Sequence, residues 1–395
     1  MIASIIVVAV VVALWALLAA RLERWRISAP MIVVAAGMAM GLTTHNTIGE
    51  TLNTHVALKA AEIILAILLF VDATEVRGGM LGKEPGAALR VLFLAMPLSM
   101  AAAVVLGWWL LPGNGWPVLL VIACVVMPID MAPAAALVRD RRIPARVRNV
   151  LNVESGYNDG IASPIILFAL ALAADNPGGN TPWDALASAG PSALKAIAVG
   201  LVLGGALAWL VSRSERAELM SAQSKRLALV AAPLLSYGVA VALSGNGFVA
   251  SFVCGFVFHY ARREAENHRD LELLDDIGFL LTVVMWFVFG NTIVFALWGG
   301  VSWRVVVFAA AALTVLRMVP VAVSLIGSGL KRVEVLLIAW LGPRGTTSIV
   351  FGLLSFNMLH DADADLVLSV LVVTVLGSVL VHGIGSPLTM RTYSR

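Results

Sequence analysis

Charge is scarce in this sequence, as are the residues on which metalloproteins and ATP-driven enzymes depend. Only 13% of the 395 residues are charged, against roughly a quarter in soluble domains, which argues against a water-soluble protein. Both cysteines, Cys124 and Cys254, lie inside apolar runs, so neither a disulfide framework nor a cysteine metal site is predicted. The histidines lack metal-ligand spacing and no phosphate-binding Gly-x-x-x-x-Gly-Lys-[Ser/Thr] motif occurs. We therefore predict no cofactor, no metalloenzyme and no ATP-driven pump.

Apolar residues are abundant instead. They make up 60% of the chain, and the mean hydropathy is +0.93. Apolar runs of about 15–25 residues match the thickness of the bilayer hydrocarbon. We predict an all-α polytopic membrane protein with about 13 transmembrane helices, near 2–20, 29–43, 56–74, 88–111, 116–138, 150–174, 191–212, 227–243, 247–260, 277–297, 305–327, 333–356 and 366–386.

Basic residues are distributed unevenly between the two sets of linkers. Most of the 27 Lys and Arg residues fall in alternate linkers, and the opposite set carries only Arg304. The positive-inside rule then predicts a cytoplasmic C-terminus and an outside N-terminus, in the plasma membrane or, in a Gram-negative cell, the inner membrane. This topology explains the net charge of +3, so nucleic acid is not a predicted partner.

Weak internal symmetry relates the two halves of the chain. Residues 70–76 resemble residues 287–293, and the broken segments around Asp130 and Arg344 repeat at nearly the same spacing. This favours two inverted six-helix repeats with crossed discontinuous helices. Within one transporter domain, 1–395, we place repeat one at about 1–174, a linking helix at about 191–212 and repeat two at about 225–390.

The most unusual stretch is 150–164, where polar residues open an otherwise apolar run. Placing a carboxylate inside hydrocarbon costs at least ~2.5–3.5 kcal/mol of insertion free energy. We therefore expect Glu154 and Asp159 to have a function there. On a helix, Ser155 and Asp159 share one face, and Glu154 and Asn158 share the adjacent face. Two neighbouring polar stripes therefore point the same way.

Two further spans are interrupted near their middles. Residues 127–133 place two prolines around Asp130, and residues 341–348 place glycine and proline around Arg344. Such breaks survive in a bilayer only where they line protein or a polar cavity, and facing unwound segments offer helix ends to an ion. We therefore expect Asp130, Asp159 and Arg344 to meet near mid-depth.

These residues give three acids and one base. We predict that Glu154 forms a structural ion pair with Arg344, which leaves Asp130 and Asp159 for a monovalent cation or protons. Ser155 has two interpretations, an oxygen ligand or a hydroxyl bonded to its own helix.

The motif Glu154–Gly160, the segment around Asp130 and the motif Gly342–Gly345 together resemble the first monovalent cation–proton antiporter family, the sodium/proton exchangers with an Asn-Asp pair. The resemblance spans essentially the whole chain. It implies a homodimer with a fixed dimerisation domain and a six-helix core that moves like an elevator.

The resemblance also implies residue roles. Asp159 would be the principal ion and proton carboxylate, Asp130 would assist it, and Ser155 would supply an oxygen. Asn158 would mark an electroneutral exchanger. The family usually has threonine before the aspartate of the broken helix, where this chain has Ile129, whose backbone carbonyl could still be a ligand.

The sequence therefore predicts a secondary active antiporter, not an enzyme, that exchanges Na⁺ or Li⁺ for a proton and serves pH homeostasis. Asp72, near the cytoplasmic end of its span, is a candidate for an access funnel. A K⁺/H⁺ antiporter is the nearest alternative. An intramembrane hydrolase or a passive cation channel is an alternative of another class. The hydrolase would need a mid-depth His or Lys as base, or an aspartyl pair, and Arg344 cannot serve as a base.

Overall fold

A computed structural model describes residues 2–25, 28–52, 55–76, 78–131, 143–173, 181–262 and 268–384. Within these ranges the secondary structure is helical and contains no strand. The helices are α1 (Ile2–Arg24), α2 (Ala29–Leu52), α3 (His55–Thr74), α4 (Pro85–Leu110), α5 (Trp116–Val126), α6 (Ala145–Ala173), α7 (Pro182–Arg216), α8 (Ala222–Ala242), α9 (Gly247–Arg262), α10 (His268–Trp298), α11 (Trp303–Ser324), α12 (Arg332–Trp340), α13 (Thr346–Met358) and α14 (Asp361–Ser378).

Each predicted apolar run overlaps at least one of these helices, which confirms a polytopic helical membrane protein. Among the described residues, seven helices are long and apolar enough to cross a bilayer, and several others are shorter. The twelfth run is split into α12 and α13, as its Gly and Pro residues predict. The fifth run forms α5 only as far as Val126, and its continuation over 132–138 lies outside the described residues. The count of thirteen crossings and the repeat boundaries remain predictions.

Exposed tryptophans mark two levels of the helical bundle. Their indole rings combine an apolar body with a polar N–H group, so they collect where a membrane meets water. One group lies at helix ends that the charge pattern assigns to the outside, namely Trp108, Trp109, Trp116, Trp183, Trp298 and Trp303. On the opposite side, Trp25 and Trp209 lie beneath the guanidinium groups of Arg21 and Arg213.

The helices α4 and α11 each depart from regular geometry. In α4 the residues Val91–Ala95 form a π-helical turn, a feature often found at functional sites. In α11 the helix is interrupted at Thr314, between Leu313 and Val315. Both helices pack against the segment where α5 ends and α12 gives way to α13.

Candidate functional site

The candidate site is built on the first half of α6. Glu154, Asn158 and Asp159 are each at most 4% exposed, while Ser155 is half-buried. Glu154 and Asn158 line the same small cavity, about the size of one water molecule, which agrees with the predicted shared face.

The two broken segments cross beside this helix, as the sequence predicts. The backbone N–H of Asp130 donates to the carbonyl of Pro343 at 2.9 Å. The Oδ2 atom of Asp130 accepts the backbone N–H of Thr346, the first residue of α13, at 2.6 Å. Gly345 permits this approach, because a Cβ atom there would overlap the Asp130 carboxylate. Asp130 therefore caps the positive end of α13.

The Asn158-Asp159 pair is held by one contact from each broken segment. Asn158 donates from Nδ2 to the Ile129 carbonyl at 2.7 Å. Asp159 accepts at Oδ2 from the Thr347 hydroxyl at 2.5 Å. The remaining oxygens, Oδ1 of Asn158 and Oδ1 of Asp159, are buried and accept no hydrogen bond from the described residues. The backbone carbonyl of Ile129 thus supplies Asn158 with a hydrogen-bond acceptor.

Two further residues from the sequence prediction lie around this pair. Ser155 is one turn before Asp159 on α6, and its hydroxyl has no hydrogen-bond partner among the described residues. This contrasts with Ser163, which donates to the Gly160 carbonyl of its own helix at 3.2 Å. Asp72 is half-buried near the end of α3, and its backbone carbonyl lies 3.1 Å from the position of a Cβ atom on Gly156. Asp72 is therefore adjacent to the polar stretch of α6.

The predicted ion pair between Glu154 and Arg344 is wrong. Glu154 pairs with Arg317 of α11, through Nη1 to Oε1 at 2.6 Å and Nη2 to Oε2 at 3.0 Å. Nη2 of Arg317 also donates to the Ile338 carbonyl at 3.1 Å, at the C-terminal end of α12. The physical reason is helix placement: Arg317 faces α6, and Gly342 packs against its guanidinium.

Arg344 is fully buried, and its guanidinium contacts backbone oxygens. Nε donates to the carbonyl of Val126, the last residue of α5. Nη1 donates to the Gly342 carbonyl at 2.6 Å, and Nη2 to the Ala312 carbonyl at 3.2 Å. Carbonyl groups at a helix C-terminus carry partial negative charge, which a guanidinium neutralises. Arg317 and Arg344 therefore each neutralise the C-terminal end of a half-helix.

Sequence reasoning missed two residues of this site. Arg317 lies in the middle of the eleventh apolar run, and a lone arginine at that depth is itself the signal that was available. Thr347 is the second of two consecutive threonines after the Pro-Arg-Gly break. No spacing rule singles it out, because its partner Asp159 is distant in the sequence.

The chain matches the family described as "Sodium/hydrogen exchanger, transmembrane" over residues 6–392. It belongs to the sodium/hydrogen exchanger family. A Na⁺/H⁺ antiporter of Schizosaccharomyces pombe is 23% identical over 83% of this chain and 76% of its own length. The K⁺/H⁺ antiporter NhaP of Alkalimonas amylolytica is 25% identical over 91% of this chain, which spans 61% of that relative.

A solved structure shares the fold of this exchanger-family chain. The sodium proton antiporter MjNhaP1 of Methanocaldococcus jannaschii superposes with a TM-score of 0.78 at 18% identity, covering 98% of both chains. At this identity the comparison establishes the fold alone. The family match confirms the resemblance to cation/proton antiporters that the sequence motifs predicted.

Proposed function

We propose that this protein is a secondary active antiporter that exchanges a monovalent cation, Na⁺ or Li⁺, for a proton at Asp159. The observation that carries the proposal is the pair of buried oxygens, Oδ1 of Asp159 and Oδ1 of Asn158, that accept no hydrogen bond from the described residues. Both atoms are acceptors only, and leaving them unsatisfied at this depth is costly. A bound cation or a proton on the carboxylate would satisfy them.

The ligand set extends to oxygens around this pair. Ser155 offers a hydroxyl one turn earlier on α6, Asp130 offers its carboxylate from the crossing, and the Ile129 carbonyl faces Asn158. Oxygen ligands of this kind suit hard cations. Cation and proton compete for the same carboxylate, so each departs when the other binds.

The charges at the crossing support electroneutral exchange. The buried charges around the crossing are three acids, Asp130, Glu154 and Asp159, and two bases, Arg317 and Arg344, which sum to one formal negative charge. One monovalent cation or one proton neutralises it. If only the neutral assembly moves across the membrane, a single cation exchanges for a single proton and no net charge is transferred.

We further propose that the core moves relative to a fixed dimerisation domain, within a homodimer whose C-termini are cytoplasmic. Support comes from the shared fold with a sodium proton antiporter and from the basic linkers on one side. Asp72, which lies against Gly156 at the cytoplasmic end of α3, would attract cations to the site.

K⁺/H⁺ exchange is the second candidate, and the relative from Alkalimonas amylolytica favours it. Na⁺, Li⁺ and K⁺ differ in size and in the number of oxygens they need, and the residues at the crossing are compatible with each.

Transport into proteoliposomes tests both candidates. An imposed pH gradient should drive uptake of Na⁺ and Li⁺, with K⁺ and choline measured in parallel, while an ionophore clamps the voltage. We expect the flux to be insensitive to the clamped voltage. Asp159→Asn should abolish exchange, whereas Asp365→Asn, which alters an exposed acid of α14, should not. Full exchange by Asp159→Asn would refute the site, and cation flux without proton movement would indicate a channel.

A further inference from the structure

Thr347 makes the one hydrogen bond that the ion-binding carboxylate receives from the described residues. Its side chain is buried in the first turn of α13, and Oγ1 donates to Asp159 Oδ2 at 2.5 Å. The preceding residue, Thr346, donates its backbone N–H to Asp130. Consecutive residues of one helix turn therefore contact both acids of the crossing.

The direction of the Thr347 hydroxyl is unusual for a helical threonine in this protein. Thr292 donates to the Val288 carbonyl at 2.9 Å, four residues earlier, and Thr74 donates to the Val71 carbonyl at 2.7 Å, three residues earlier. This local bond is the common arrangement within helices. For Thr347 the residue four positions earlier is Pro343, which precedes the helix and whose carbonyl accepts from Asp130. The break in the helix thus frees this hydroxyl for a long-range partner.

We propose that Thr347 is a positioning residue that sets the balance between cation and proton at Asp159. The inference rests on the proposed antiport function. A donated hydrogen bond stabilises the ionised carboxylate relative to the protonated form. It also occupies Oδ2, so Oδ1 is the atom presented to the cation. When Asp159 takes up a proton, the hydroxyl can rotate and act as acceptor, because a threonine is both donor and acceptor.

The test compares transport by wild type, Thr347→Val, Thr347→Ser and Thr374→Val across a range of pH. Thr347→Val removes the donor while keeping the shape. We expect it to raise the apparent KM for Na⁺ about tenfold near pH 7, and to move the half-maximal pH of exchange up by about one unit. At high pH, where protons no longer compete, the KM should approach that of wild type. Thr347→Ser should stay within about twofold of wild type at every pH.

Thr374→Val is the matched control, since Thr374 is also fully buried, on α14, and its hydroxyl accepts and donates no hydrogen bond among the described residues. It should leave the pH profile unchanged. If Thr347→Val does not fold, Thr347→Ala is expected to show the same shift, and Na⁺-dependent thermal stabilisation gives a second measure of binding.

Four results would overturn the proposal. A wild-type pH profile in Thr347→Val would show that the hydroxyl is not coupled to the carboxylate. A KM for Na⁺ that Thr347→Val raises equally at all pH values would show that the hydroxyl does not affect the competition between cation and proton. A defect in Thr347→Ser equal to that in Thr347→Val would show that the lost contacts, and not the hydroxyl, cause the change, because serine keeps the donor. Absence of exchange by wild type would refute the proposed function, and this inference with it. If wild type exchanges and Asp159→Asn is inactive, an unshifted Thr347→Val refutes the role of Thr347 alone.

Discussion

The ion pair between Glu154 and Arg317 predicts a specific energetic coupling. Both side chains are 5% exposed, and the two charges are joined by two hydrogen bonds. Truncating one partner of a buried pair leaves the other charge uncompensated, which costs about 3–5 kcal/mol. Arg317→Gln also deprives the Ile338 carbonyl of a donor, which adds about 1–3 kcal/mol. We therefore expect Arg317→Gln to be more destabilising than Glu154→Gln.

A double-mutant cycle distinguishes the Glu154–Arg317 ion pair from a pair between Glu154 and Arg344. In the Glu154→Gln/Arg317→Gln double variant no charge is stranded, so the loss should be smaller than the sum of the single losses by about 2 kcal/mol or more. The matched cycle with Arg344→Gln should give a coupling below about 1 kcal/mol, because Arg344 contacts backbone carbonyls.

The assay is reversible denaturant unfolding in detergent micelles, followed by tryptophan fluorescence. The reasoning would be refuted if Glu154 coupled strongly to Arg344 and weakly to Arg317. If the losses of unfolding free energy were additive in both cycles, neither arginine would be coupled to Glu154.

Two further predictions concern the crossing and the surface ion pair between Glu84 and Arg146. Gly345→Ala places a methyl group against the Asp130 carboxylate and should lower stability by about 1–3 kcal/mol and reduce transport, whereas Gly205→Ala, which faces open space, should not; equal activity of the two would contradict the packing. The hydrogen bond from Arg146 lowers the pKa of Glu84 from its usual 4.5, so its stabilising effect is present above that value and lost as the pH falls through the lower folded value. Glu84→Gln should accordingly be less stable than wild type at pH 7, and the difference should shrink as the pH falls below 4.5 in thermal unfolding scans.

The helices were predictable because each membrane-spanning segment is apolar by itself, so its hydropathy identifies it without reference to the other segments. The breaks at Asp130 and Arg344 were predictable for the same local reason, since proline and glycine interrupt a helix wherever it packs. The paired stripes of α6 followed from helical periodicity alone. These features need no knowledge of which helices are neighbours.

The pairing of charges was not predictable in this way. Whether Glu154 meets Arg317 or Arg344 depends on how α6, α11 and the break before α13 are rotated about their axes. The sequence prediction also counted one base at mid-depth where the structure has two. That error would have left two unneutralised acids for transport, and the corrected count leaves one.

Hydrogen bonds made by the backbone could not be predicted from the sequence either. The alkyl side chain of Ile129 offers Asn158 no hydrogen bond, yet the carbonyl of the same residue accepts the Asn158 amide. Side-chain identity does not report where a carbonyl points in an unwound segment, so a substitution that removes a hydroxyl can leave the interaction in place.

The arrangement of arginines and amides around the two breaks bears on how a cation would be dehydrated. The carbonyls of Val126, Gly342 and Pro343, and that of Ile129, each already accept a hydrogen bond from the protein. Their residual attraction for a cation is therefore weakened. An ion at Asp159 would rely mainly on side-chain oxygens and would keep part of its hydration shell. We expect selectivity to follow the free energy of stripping only some of its water, which differs less between Na⁺, Li⁺ and K⁺ than complete dehydration does.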